Sequence, residues 1–316
     1  MSDYPKKVTI NDVGPREGFQ FEKTFIPTEK KLQLVDTLSD TGVPVIEVTS
    51  FVSPKWVPQM ADADEMTAKF KKVPGVKYTG LYLNMKGFER AAKSGRYDLE
   101  GLFFLIASET FCQKNTNKSI KETFDTFDEW IKKFEELSVP VIGASIAAAF
   151  GCNYEGDIPP EKIVSLTSDA EKIFNDHGYQ FKHLTLADTM GWANPRQITT
   201  VLGKVREKWP ELHVRLHLHD TRGPGLANVN AALQMGISDF DASVGGLGGC
   251  PFAGHKAAAG NICTEDTVFM LHEMGIETGI DLEKLIECAR LAESVVGHEL
   301  PGKVMKAGGL NQYRKT

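Results

Sequence analysis

Apolar, β-branched runs and amphipathic stretches alternate along the chain. Runs that read as strands fall at Val8–Val13, Val45–Phe51, Lys77–Leu83, Gly101–Ala107, Val141–Ala147, His183–Ala187, Val214–His219 and Asp239–Val244. Between them, apolar positions recur at helical spacing. Thr28 opens one such stretch, with Leu32, Leu34, Val35 and Leu38 behind it. It has the flavour of a capping box, although Lys31 stands where the acid belongs. Phe124, Phe127, Ile131 and Phe134 predict a helix over Ile120–Leu137. Pro160–Phe174 and Pro195–Trp209 each begin with a proline, which the first turn tolerates, and Asn228–Met235 and Thr264–Met274 follow.

Strand then helix, about eight times, predicts an α/β fold with a parallel sheet, and eight such units close into a (β/α)8 TIM barrel. An open doubly wound sheet would want a glycine-rich phosphate turn after the first strand, and Gly14–Gly18 does not match one. The expected organisation is a barrel over 1–280 and a short C-terminal helical extension over 281–316. In that extension Leu282–Val296 sets Leu285, Ile286, Ala289, Ala292 and Val296 on one face, suited to packing under the barrel or at a subunit interface.

Composition narrows the class of function. A chain of 316 residues with 41% apolar positions can bury the core of one such barrel. A net charge of -6 leaves no basic footprint for nucleic acid. No apolar run approaches the roughly 18 residues of a membrane span, and Met1–Lys7 lacks an apolar signal-peptide core. Five cysteines (Cys112, Cys152, Cys250, Cys263 and Cys288) are an odd number without paired spacing, which suits reduced thiols and a cytoplasmic protein.

A barrel makes a specific demand, because its active site forms at the C-terminal ends of the strands. Chemistry-bearing residues recur there. The first strand runs into Gly14-Pro15-Arg16-Glu17-Gly18, the second carries Glu47 and Thr49, the fourth ends at Ser108-Glu109 and the sixth at Asp188-Thr189. The seventh carries His217 and His219, two imidazoles on one strand face, which can grip a divalent ion from one side. Two ordinary histidines on a half-buried strand are the alternative. The eighth runs into Gly245–Pro251, with Gly260-Asn261 beyond.

Asn11–Gln20, Val45–Met60, Ala107–Thr123, Leu216–Met235 and Ser243–Ala253 closely resemble the 3-hydroxy-3-methylglutaryl-CoA lyase family of the DRE-TIM metallolyases. The resemblance runs from about Val8 through Leu300–Val304. It implies a carbon–carbon lyase that cleaves a 3-hydroxyacyl-CoA by a retro-Claisen reaction, with one Mg²⁺ or Mn²⁺ per chain. By position, His217, His219 and Asn261 match metal ligands, and Arg16 matches the arginine on substrate oxygen. Glu47 and Asp188 match supporting acids, and Cys250 the cysteine of the glycine-rich loop. Three departures stand out. Glu17 replaces the family's aspartate ligand. The Cys250–Asn261 loop is about two residues longer and contains His255 and Lys256. Ser145 and Ala147 stand where typical lyases carry tyrosine and serine on strand 5.

The chemistry of these residues fits those parts. Arg16 is always charged and offers a rigid fork of donors, suited to alkoxide or enolate oxygen. Glu47 could orient it or a water, or be a barrel-interior acid paired only for structure, and Asp188 could act as acid or base or merely cap the next turn. A cysteine among glycines, read as mobile and reachable, can hand a proton to an enolate. His255 and Lys256 could reach a phosphate or carboxylate or be solvent-exposed charge, and Thr110–Ser119 resembles the family's loop near the CoA entrance, with a plain polar loop as the alternative.

The expected partners are an acyl-CoA substrate and further copies of the chain, as a homodimer or higher homo-oligomer, with no nucleic acid and no membrane. Three alternatives stay open: a lyase for another 3-hydroxyacyl-CoA such as citramalyl-CoA, a condensing synthase of the isopropylmalate or citramalate type, and a barrel that only binds. The chain's end soon after the barrel leaves no room for the synthases' usual regulatory domain.

Overall fold

In a computed structural model, residues 4–254 and 258–314 are described. His255 and Lys256 lie outside the described residues. All eight expected strands form: β1 Thr9–Asp12, β2 Val45–Ser50, β3 Lys77–Leu81, β4 Gly101–Ile106, β5 Val141–Ala147, β6 His183–Ala187, β7 His213–His217 and β8 Asp239–Ala242. Helices follow at the expected places, including Thr28–Ser39, Pro160–Asp176, Pro195–Lys208, Thr264–Glu273 and Leu282–Val296. Two compact units divide the chain. Lys6–Asp98, Phe240–Gly249 and Ala259–Thr316 make one, and Met1–Pro5, Leu99–Asp239 and Cys250–Ala258 the other.

In the first unit β2 pairs in parallel with both β1 and β3. On the far side of β1, the Val13 N–H donates to the Ala242 carbonyl at the end of β8. The β2–β3 register slips between Glu47 and Thr49. Such a slip re-aims side chains near a strand's end. Helix Thr28–Ser39 departs from the expected capping box. Its N-cap is Pro27, and the Thr28 hydroxyl donates instead to Asp62 Oδ2 at 3.0 Å. Lys31 is buried, with Nζ 2.9 Å from Asp62 Oδ1, so the residue that spoils the motif forms a buried ion pair. Leu282–Val296 buries Leu285, Ile286, Ala289 and Ala292, caps its start with Asp281, and packs on Thr28–Ser39 within the same unit.

In the second unit β4, β5, β6 and β7 pair in parallel, in sequence order. Three expectations change here. The stretch Ile120–Leu137 forms two helices, Ile120–Phe124 and Phe127–Glu136, because Ser119 caps the first in a complete capping box and the chain turns at Asp125–Thr126. Most of Thr110–Ser119 is helix rather than loop. Ser108 accepts from the Phe111 N–H to start it, and Asn117 in the left-handed region ends it. Strand β7 stops at His217, so His219 lies just beyond it. Among the described residues, no helix is long and apolar enough to cross a membrane.

Candidate active site

In the first unit the chain after β1 winds one π-helical turn, Gly14–Gly18, with Pro15 in its first turn and closed by the Phe19 N–H donating to the Gly14 carbonyl. Single π turns are rare and frequently occur at functional sites. This one presents Arg16 and Glu17 together. Arg16 Nη2 lies 3.0 Å from Glu17 Oε2, and its Nε donates to Glu47 Oε2 on β2. All three side chains are largely buried. Burial alone would lower the Arg16 pKa, but Glu47, Glu17 and Asp241 hold it above its ordinary value. Burial likewise raises Glu47, against the pull of Arg16. The expected orienting role of Glu47 therefore has a direct contact behind it.

Gly18 can lie there because it is glycine. A Cβ would come within 2.6 Å of Leu247 Cβ in the glycine-rich turn after β8. Beyond that turn sits Asn261, 2% exposed, with Oδ1 accepting no hydrogen bond among the described residues. A buried amide oxygen without a donor is costly in a native fold, and a bound cation is one group that would satisfy it. Asp241 on β8, missed in the sequence, acts electrostatically on both Arg16 and Glu47. Its strand alternates Asp239-Phe240-Asp241, and that period of two was the signal available.

In the second unit His217 and His219 turn their Nε2 atoms to within 3.3 Å of one another, with both side chains buried. Two nitrogens on one ion at about 2.0–2.1 Å each lie roughly 3 Å apart, so the donor pair fits a divalent cation. Asp188, at the end of β6, accepts from the Trp192 and Ala193 N–H groups through Oδ1 at 2.7 and 3.0 Å. The capping role foreseen for it is thus real. Its Oδ2, however, has no hydrogen-bond partner among the described residues. Burial pushes the Asp188 pKa up to about 6, and His219 and the two backbone donors restrain the rise.

Cys250 departs from expectation. It is buried, 2% exposed, not a reachable thiol. Burial alone would raise its pKa, but His219, the Phe252 N–H and Thr221 outweigh that and hold it below its ordinary value. Cys152, Cys263 and Cys288 are buried thiols, and all five cysteines are free. Ser145 and Ala147 both lie on β5, Ala147 buried and Ser145 half-buried.

Eight strand–helix units with reactive side chains gathered at the strand ends define a (β/α)8-barrel enzyme. The comparisons narrow the class. The HMGL-like family model matches residues 7–292, and the chain belongs to that family. The mitochondrial hydroxymethylglutaryl-CoA lyase of Rattus norvegicus is 43% identical over 307 residues, which cover 97% of this chain and 91% of that protein. Among solved structures, the HMG-CoA lyase of Bacillus subtilis shares 41% identity with a TM-score of 0.88, covering 96% of this chain and 98% of that one. The HMG-CoA lyase of Acinetobacter baumannii, solved in complex with coenzyme A and 3-methylmalate, shares 37% identity with a TM-score of 0.87 over all of both chains.

Proposed function

We propose that the protein is a divalent-metal-dependent lyase that cleaves 3-hydroxy-3-methylglutaryl-CoA to acetyl-CoA and acetoacetate. The convergence of His217 and His219 Nε2 carries this reading, because a strand end has no structural need for two facing imidazole nitrogens. The ligands we assign are those that the resemblance implies, His217, His219, Glu17 and Asn261. They offer two imidazole nitrogens, a carboxylate and an amide oxygen. Such a mixed set suits Mg²⁺ or Mn²⁺. When bound, the ion would supply positive charge that favours loss of the substrate's hydroxyl proton.

The remaining work falls to the chain's own groups. Asp188 Oδ2 takes the tertiary hydroxyl proton, matching a pKa raised towards neutrality. As the C–C bond breaks, its electron pair moves onto the thioester as an enolate and the alkoxide becomes the new carbonyl. Arg16, aimed by Glu47 and Glu17, stabilises the negative oxygen through both stages. Cys250 Sγ–H then gives its proton to the enolate carbon, completing acetyl-CoA, and solvent returns that proton as Asp188 releases its own.

Incubation with 3-hydroxy-3-methylglutaryl-CoA, with Mg²⁺ or Mn²⁺ and then with chelator, tests the proposal. Metal-dependent formation of acetyl-CoA and acetoacetate is the expected result. Release of free CoA thiol from acetyl-CoA and a 2-oxoacid would instead make it a synthase. A second acyl group is favoured by one specific observation, the small side chains Ser145 and Ala147 on β5. If the first substrate is not turned over, citramalyl-CoA is the next to test. The five free thiols agree with a reducing compartment such as the cytoplasm. Light scattering will test the expected homodimer or higher homo-oligomer.

A further inference from the structure

Cys250 is buried, yet it sits in a glycine-flanked turn at the protein's edge, so something must hold that turn down. Its own backbone does part of this. The Cys250 N–H donates to the Ala258 carbonyl at 3.3 Å, and the Ala253 N–H to the Cys250 carbonyl at 3.0 Å. The Phe252 ring meets Phe111 edge-on, with centroids 5.3 Å apart. A further contact comes from a residue that the chemistry above does not use. Asn153 lies between the short strands Gly151–Cys152 and Gly156–Asp157, and its Nδ2 donates to the Phe252 carbonyl at 2.7 Å.

The other end of the same amide is also used. Asn153 Oδ1 accepts from the Trp192 indole Nε1–H at 2.7 Å. Trp192 is itself fixed at two points. Its backbone N–H donates to Asp188 Oδ1 at 2.7 Å, and its ring lies over Gly151, where a Cβ would come within 2.6 Å of Cδ2 and Cε3. A continuous set of contacts therefore runs from Asp188 through Trp192 and Asn153 to the Phe252 peptide, two residues from Cys250. The Phe252 N–H helps hold the Cys250 thiol below its ordinary pKa. The Phe252 carbonyl and N–H belong to adjacent peptide units, so holding the carbonyl restrains the residue that bears the donor.

We propose that Asn153 is a positioning residue that latches the Cys250 turn closed and, through Trp192, couples that closure to Asp188. The proposal rests on the reading that Cys250 delivers the proton, but its first test does not. An asparagine amide is suited to this place because it donates on one side and accepts on the other. Asn153→Asp keeps an acceptor for Trp192 while losing the donor to Phe252 and setting a negative charge against its carbonyl. Asn153→Ala loses both bonds. Asn153 is exposed, so neither change leaves a cavity in the core.

The experiment measures alkylation of each cysteine by iodoacetamide, peptide by peptide, because a buried thiol reacts only through local opening. Loss of one good hydrogen bond corresponds to about a tenfold larger open population. Both variants should speed labelling of Cys250 by about that factor and leave Cys263 and Cys288 at the wild-type rate. With 3-hydroxy-3-methylglutaryl-CoA, kcat should fall more than KM rises. Cys250 labelling at the wild-type rate in Asn153→Asp would overturn the proposal, and so would a uniform rise at every cysteine, which marks general destabilisation. If the wild type cleaves no such substrate, the substrate reading fails, while the labelling result still decides the latch.

Discussion

His217 and His219 direct their Nε2 atoms at one another across 3.3 Å, although β7 has ended at the first of them. Without a cation, at most one of the two nitrogens can face the other as a donor. Replacing either with alanine should lower affinity for Mn²⁺ at least tenfold and activity by on the order of 10²–10⁴. Calorimetric titration with Mn²⁺ measures the first and steady-state cleavage the second. Unchanged Mn²⁺ affinity in both variants would remove these imidazoles from the site.

Arg16 and Glu17 share one π turn, and Glu17 stands where the family's ligand is aspartate. Glu17→Asp should keep activity within about tenfold, because the carboxylate remains beside Arg16. Glu17→Gln should weaken metal binding, because a neutral amide replaces the anion. Arg16→Lys should cost about 10²-fold in kcat, since an ammonium cannot serve Glu47, Glu17 and a substrate oxygen from one rigid fork. Equal activity in Glu17→Gln and wild type would exclude direct ligation by this residue.

Asp188 offers a separation of structure from chemistry. In Asp188→Asn, the amide oxygen can still accept from the Trp192 and Ala193 N–H groups, so the turn should hold and the melting temperature should change little. The basic oxygen is lost, and kcat should drop by about 10²-fold or more. Loss of folding instead, seen by circular dichroism, would reduce Asp188 to a cap.

Away from the site, Glu265 is buried and accepts from the Gly245 N–H at 2.9 Å. Burial pushes its pKa up from the ordinary 4.5 to about 7. The folded state therefore keeps a proton there that the unfolded chain releases. This favours folding fully below pH 4.5 and is lost as the pH rises through about 7. The full effect is on the order of a few kcal/mol. Glu265→Gln cannot ionise, so its stability relative to wild type, read by denaturant titration, should rise between about pH 5 and pH 8. A constant difference across that range would show that Glu265 does not titrate in the folded protein.

Local pattern carried much of the outcome. Strand bounds read from apolar runs fall within about two residues of those observed, because a buried parallel strand is a short apolar run whatever surrounds it. The residue types gathered at the strand ends were legible for the same reason, since a barrel sends its strand ends to one face. Lys31 was not legible. A lysine in the first turn of a helix is ordinary on a surface, and only partners distant in sequence, Asp62 and the Gln59 carbonyl, make it a buried one.

By itself, then, the sequence determined the strand–helix rhythm, the family resemblance and the identities of Arg16, Glu17, His217, His219, Cys250 and Asn261 as candidates. The tertiary structure decided how they are held. It wound Arg16 and Glu17 into a π turn against Glu47, closed two imidazole nitrogens to 3.3 Å, and buried Cys250 beneath a turn latched by Asn153. Periodicity is a property of neighbours along the chain and can be read there. Convergence depends on packing between segments far apart in sequence, such as Asn153 and Phe252, and no local pattern encodes it.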